Sequence, residues 1–70
     1  MNTEKITINT EYIKADQFLK LMGIACTGSD AKVIINEGEV KLNGSIITER
    51  GKKIRKGDKV EYNNVFYEIC

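Results

Sequence analysis

The chain has 70 residues, 41% hydrophobic and 30% charged, with no histidine and no proline, which bounds it to one compact domain, residues 1–70, near the lower size limit for folding without cross-links. Such a domain buries only about 60% of its unfolded surface, enough for a small core and one surface site, which disfavours an enclosed pocket and hence an enzyme. The net charge of +1 is segregated: residues 1–40 carry four basic and six acidic side chains, residues 41–59 seven and two, and residues 60–70 none and two, or −2, +5 and −2. Because the field near one face follows local rather than total charge, the middle segment is a candidate electrostatic footprint.

In chain order, residues 4–9 (EKITIN) alternate Ile6 and Ile8 with polar residues, the period of a half-buried strand. From Lys14 the period changes. Ala15, Phe18, Leu19 and Met22 fall along one helical stripe, Asp16 and Lys20 stand at pairing distance on another face, and Gly23 stops the helix. A second helix starts near Ser29, capped by Thr27 or Ser29, with Asp30 in its first turn, Ala31, Ile34 and Ile35 as its apolar side, and Gly38 as its stop. Val40 and Leu42 then alternate with Glu39 and Lys41 into Asn43-Gly44, the strongest hairpin signal in the chain. After the basic stretch and a Gly57-Asp58 turn, Val60 and Tyr62 lead through Asn63-Asn64 to Val65, Tyr67 and Ile69, a second hairpin. The pattern predicts an α+β fold of order β-α-α-β-β-β-β: two short packed helices beside a small, mainly antiparallel sheet.

Between Arg50 and Lys56, five of seven residues are basic and only Ile54 is apolar. As a single anchor, Ile54 pins the segment to the core, and in an extended chain Lys53 and Arg55 project to the opposite face. Lys52 and Lys56 share the parity of Ile54, so a loop or twisted turn is expected to gather the charges. Phe18, Tyr62, Phe66 and Tyr67 read as packing residues. Tyr12, which precedes the first helix near Lys14, is the aromatic candidate for ligand contact. Cys26, beside Ala25, reads as a small packing residue, and Cys70 has no readable role.

No histidine, metal-ligand cluster, Walker-type loop or activated nucleophile is visible, so no catalysis, cofactor, metal or small-molecule substrate is expected. There is no signal-peptide pattern at the start and no long apolar run, and two cysteines without a framework fit a reducing cytoplasm.

The stretches YIKADQFLKLMGI, TGSDAKVIINEGEVKLNG and ERGKKIRKGDKVEY together resemble the small RNA-binding domain named after the fourth protein of the small ribosomal subunit, the S4 domain. More narrowly, the chain is similar to its stand-alone, YaaA-like bacterial form over residues 4–69. The ordered series Asp16, Gly23, Ala31-Lys32, Glu37-Gly38, Val40, Asn43-Gly44, Arg50-Gly51-Lys52-Lys53 and Gly57-Asp58 carries the resemblance. It implies a non-catalytic RNA-binding surface built from the helix pair, its alpha-L motif, and the loop and strand that follow. By position, Lys14, Lys32, Arg50, Lys52, Lys53 and Arg55 are the implied contacts, Lys56 joins them from the same basic run, and Gly38, Asn43 and Gly44 shape turns. Three positions depart from the family pattern: Ala15 for a more usual leucine, Ser29 for a second glycine, and Glu49 where a basic residue is common.

The expected partner is structured RNA, ribosomal or tRNA-like, held through its phosphates with little means of enclosing bases. The alternative is a module docking on an acidic, ribosome-associated protein, for which the same basic patch would serve.

Overall fold

Period-two alternation in the C-terminal half builds a sheet in the structure, a computed structural model that describes residues 2–70. The elements are β1 (Asn2–Ile6), β2 (Tyr12–Lys14), α1 (Ala15–Leu21), α2 (Gly28–Asn36), β3 (Val40–Leu42), β4 (Ser45–Ile46), β5 (Lys53–Arg55), β6 (Lys59–Tyr62) and β7 (Val65–Ile69). Five strands form one sheet in the order β1-β7-β6-β3-β4, and β2 with β5 forms a separate ribbon. All pairs are antiparallel except β1 with β7. The α+β architecture is as expected, with β2 and β5 added to the predicted order.

Register follows the apolar parity. Leu42 stands opposite Val60 and Val60 opposite Tyr67, while Val40, Tyr62 and Val65 form the next row. One face of the sheet is therefore apolar, and a slip of one residue would turn it outward. Both hairpins close through paired positive φ, at Asn43 (51°) and Gly44 (88°) and at Asn63 (52°) and Asn64 (65°), the conformations that asparagine and glycine tolerate best.

The helices are too short to stand alone and are held by what they bury. Phe18 and Leu19 of α1 and Ala31 and Ile35 of α2 are all 0% exposed. The Phe18 ring meets Tyr67 edge to face, with centroids 5.5 Å apart, which locks α1 onto β7. Thr27 is the N-cap of α2: its Oγ1 accepts from the Asp30 amide at 3.1 Å. The Asp16 carboxylate accepts from the amide of Gln17 at 2.8 Å.

Two expectations are corrected. The first strand ends at Ile6, not Asn9; Ile8 is buried outside it, its amide donating to the Cys70 carbonyl at 3.1 Å around the end of β7. Cys26 is exposed rather than packed. Ala25 takes the inward position, its amide held by the Leu19 carbonyl at 3.1 Å, so the following residue leaves the core.

Burial, then Glu4 and Tyr62, raise the pKa of the Tyr67 phenol above its ordinary 10.0. The native state thus holds the phenol proton more tightly than the unfolded chain. That stabilisation is complete below about pH 10 and is lost as pH rises through the native value. Urea midpoints are expected to fall from about pH 10 upward, and Tyr67→Phe to flatten that fall; an unchanged pH profile in the variant would refute the assignment.

Candidate functional site

The basic segment is organised by its one apolar residue. Ile54 is 0% exposed and pairs with Ile13, which packs against the core. Alternation then sends Tyr12, Lys14, Lys53 and Arg55 to the opposite face of the β2/β5 ribbon. Lys14 stands directly opposite Lys53, and Tyr12 opposite Arg55. The Lys53 Nζ lies 4.8 Å from the Tyr12 ring centre and the Arg55 Cζ 5.9 Å from it. One ring therefore organises two cations, each contact worth about 0.5–1 kcal/mol at an exposed site. Opposed lysines repel across a ribbon, and an anion seated between them relieves that repulsion.

Backbone contacts fix both ends of the segment. A turn at its start is closed by the Lys52 amide on the Glu49 carbonyl at 3.2 Å. The α1 helix has no side-chain cap; instead its first amides, of Ala15 and Asp16, donate to the carbonyls of Lys52 (2.8 Å) and Arg50 (2.9 Å). Two of the orphan donors of α1 are thus satisfied by the basic segment itself, holding Arg50 and Lys52 against the helix start.

At the far end Gly57 turns the chain with φ 93°. The Asp58 carboxylate accepts from the Arg55 amide at 2.8 Å and from Asn43 Nδ2 at 3.1 Å, and Asn43 Oδ1 accepts from the Lys59 amide at 2.9 Å. Asn43 is therefore more than a turn former: with Asp58 it latches the first hairpin to the basic strand. Asp58→Ala removes both carboxylate bonds and is expected to cost about 1–3 kcal/mol in urea denaturation; a loss below the error of that measurement would refute the latch.

The structure brings Lys53 and Arg55 over Tyr12 and Lys14 opposite Lys53 on the same ribbon face, with Arg50 and Lys52 at one end of the ribbon. Lys56 lies exposed in the turn closed by the Asp58 amide on the Arg55 carbonyl at 3.0 Å. Lys32 is exposed on α2, a separate element. Residues 53–55 are a strand, as the projection of Lys53 and Arg55 opposite Ile54 requires, with Lys52 before it and Lys56 in the turn after it; its partner β2 is what sequence pattern does not reveal. Tyr12, expected near Lys14, also meets the cations of the opposite strand. Among the described residues no group of three or more His, Cys, Asp or Glu could hold a metal, and no helix is long and apolar enough to cross a membrane.

The family model for the S4 domain matches residues 6–70. The chain belongs to the S4 domain family. This S4 domain is 43% identical over 56 residues to the probable ribosome maturation protein RlbA of Bacillus subtilis, covering 80% of this chain and 79% of that protein. It is 35% identical over 51 residues to the putative RNA-binding protein YbcJ of Escherichia coli, covering 73% of each. The solution structure of YbcJ, described as revealing an alpha-L motif involved in RNA binding, superposes with a TM-score of 0.64 at 29% identity over 99% of this chain and 86% of that one. A large-subunit ribosomal pseudouridine synthase B of Bacillus subtilis is 42% identical over 38 residues, 54% of this chain but 16% of the enzyme, so the likeness covers a small part of that enzyme.

Proposed function

We propose that residues 1–70 act as a single, non-enzymatic RNA-binding domain in the cytoplasm, gripping the phosphate backbone of structured RNA of ribosomal or tRNA-like kind. The observation that carries this reading is the ribbon face on which Lys53 and Arg55 lie over the Tyr12 ring and Lys14 stands opposite Lys53. Cations fixed by strand pairing form charge-assisted hydrogen bonds to phosphate oxygens without ordering long side chains from a loop. Arg50, Lys52 and Lys56 extend the surface along the backbone track, and Lys32 supplies a contact from α2. The S4 family and the YbcJ likeness support RNA as the ligand class, and the name of RlbA supports a ribosomal setting.

Gel-shift titration with a structured RNA over a salt series tests the reading. Engagement of about four or five phosphates gives log K against log salt a slope of about −3 to −4.5. No binding at low salt would end it. Docking on an acidic ribosome-associated protein is the competing outcome, favoured by partners that survive complete ribonuclease digestion in a pull-down.

A further inference from the structure

Beside the basic ribbon lies an open cavity of about 370 Å³, within the roughly 300–1,000 Å³ range of small-ligand sites. Its walls come from the first hairpin and the connection into the basic segment: Asn43, Ser45, Ile46, Thr48, Glu49 and Lys52. Leu42 and Ile47 in its lining belong to the core and Lys52 to the phosphate-binding surface, but Ile46 and Glu49 belong to neither. Ile46 is 55% exposed, an apolar surface left in solvent at a sheet edge. Glu49 places an acceptor-only carboxylate in the same walls as Lys52, whose amide donates to the Glu49 carbonyl. None of the side-chain hydrogen bonds among the described residues engages that carboxylate.

We infer that this cavity is a base-reading subsite that takes one unpaired guanine of the bound RNA, with Ile46 as the apolar surface under the ring, Glu49 as the reader of its edge and Lys52 as the contact to its phosphate. The inference rests on the RNA reading above. The choice of base follows from donor arithmetic. Guanine alone presents two adjacent donors, N1–H and the N2 amine, to a carboxylate with two acceptor oxygens. Cytosine and adenine each present one amine beside an acceptor nitrogen, and uracil one N–H between two carbonyls; each sets an acceptor against the carboxylate. The short turn between Glu49 and Lys52 fixes the base edge and phosphate contacts relative to each other. Buried neither deeply nor fully, the cavity suits a base already outside a helix, since extruding a paired one costs a few kcal/mol. A negative charge inside a basic surface, otherwise a loss of affinity, becomes a specificity element.

The test uses the full chain and four RNA hairpins identical but for a single bulged nucleotide, titrated by fluorescence polarisation at fixed salt. The guanine bulge is expected to bind about tenfold more tightly than the other three, in the range of a good bidentate edge contact. Glu49→Gln is expected to abolish that preference while leaving the salt slope unchanged, and Ile46→Ala to weaken the guanine bulge selectively. Equal binding of all four hairpins overturns the subsite and leaves the RNA reading standing. So does a Glu49→Gln variant that binds all four more tightly, because Glu49 is then only a repulsive charge at the rim. Absence of binding to any hairpin at low salt overturns both readings.

Discussion

Simultaneous replacement of Lys14, Lys53 and Arg55 by alanine is expected to weaken binding to structured RNA about a hundredfold near physiological salt and to make the salt slope shallower by about 2 to 3. Each phosphate contact contributes about 0.7–0.9 to that slope, and three lost contacts account for both numbers together. A variant that loses affinity without change of slope would show that the cations act by holding the fold, not by displacing counterions. Lys14→Gln separates the two effects further. It removes one proposed phosphate contact and also the expected repulsion with Lys53 across the ribbon, leaving Lys53 and Arg55 over Tyr12. Cross-strand pairs are worth about 0.2–1 kcal/mol, so this variant is expected to bind RNA less well and resist urea slightly better. Loss of both binding and stability would contradict the reading of the Lys14 and Lys53 pair as a strained anion site.

Ile54→Ala carries the largest expected cost in stability. Ile54 is 0% exposed and belongs to the same buried cluster as Phe18, Leu19 and Val60. Truncating a fully buried isoleucine costs about 2–5 kcal/mol, while a 70-residue domain holds only about 4–10 kcal/mol in all. A fall of roughly 10 °C or more in Tm is expected, together with weaker RNA binding as the ribbon loses its inner face. Ile54→Val, expected to cost about 0.5–1.5 kcal/mol, keeps the strand seated and should retain the wild-type salt slope. If Ile54→Ala left Tm unchanged, the basic strand would not be anchored by this side chain.

How much of this was legible beforehand depends on the range of the interaction. The Asn43-Gly44 and Asn63-Asn64 turns, the Phe18 and Leu19 stripe and the parity of Val40, Leu42, Val60 and Tyr67 are local patterns, and each holds in the structure. The role of Ile54 was equally readable, because one apolar residue among five cations has one plausible destination. The β2/β5 ribbon was not. Its strands have three residues each, too few to show a period, and its partners Lys14 and Lys53 lie far apart in sequence. Asp58 shows the same limit from another side: a turn former in sequence, it is also an acceptor for Asn43 and Arg55 once the chain has closed. Cys26 failed because small apolar neighbours in a connection do not say which of two adjacent residues faces inward.

The sequence by itself determined the helix pair, the hairpins, the buried anchor and the location of positive charge, since propensity, turn chemistry and alternation act over a few residues. Only the tertiary structure decided that Lys14, Tyr12, Lys53 and Arg55 share one face, that the amides at the start of α1 are taken up by the backbone of the basic segment, and that Glu49 lines a cavity beside Lys52. The first two depend on pairing between segments more than half the chain apart, and the third on how the connection after the first hairpin folds back beside it; no short-range pattern encodes either.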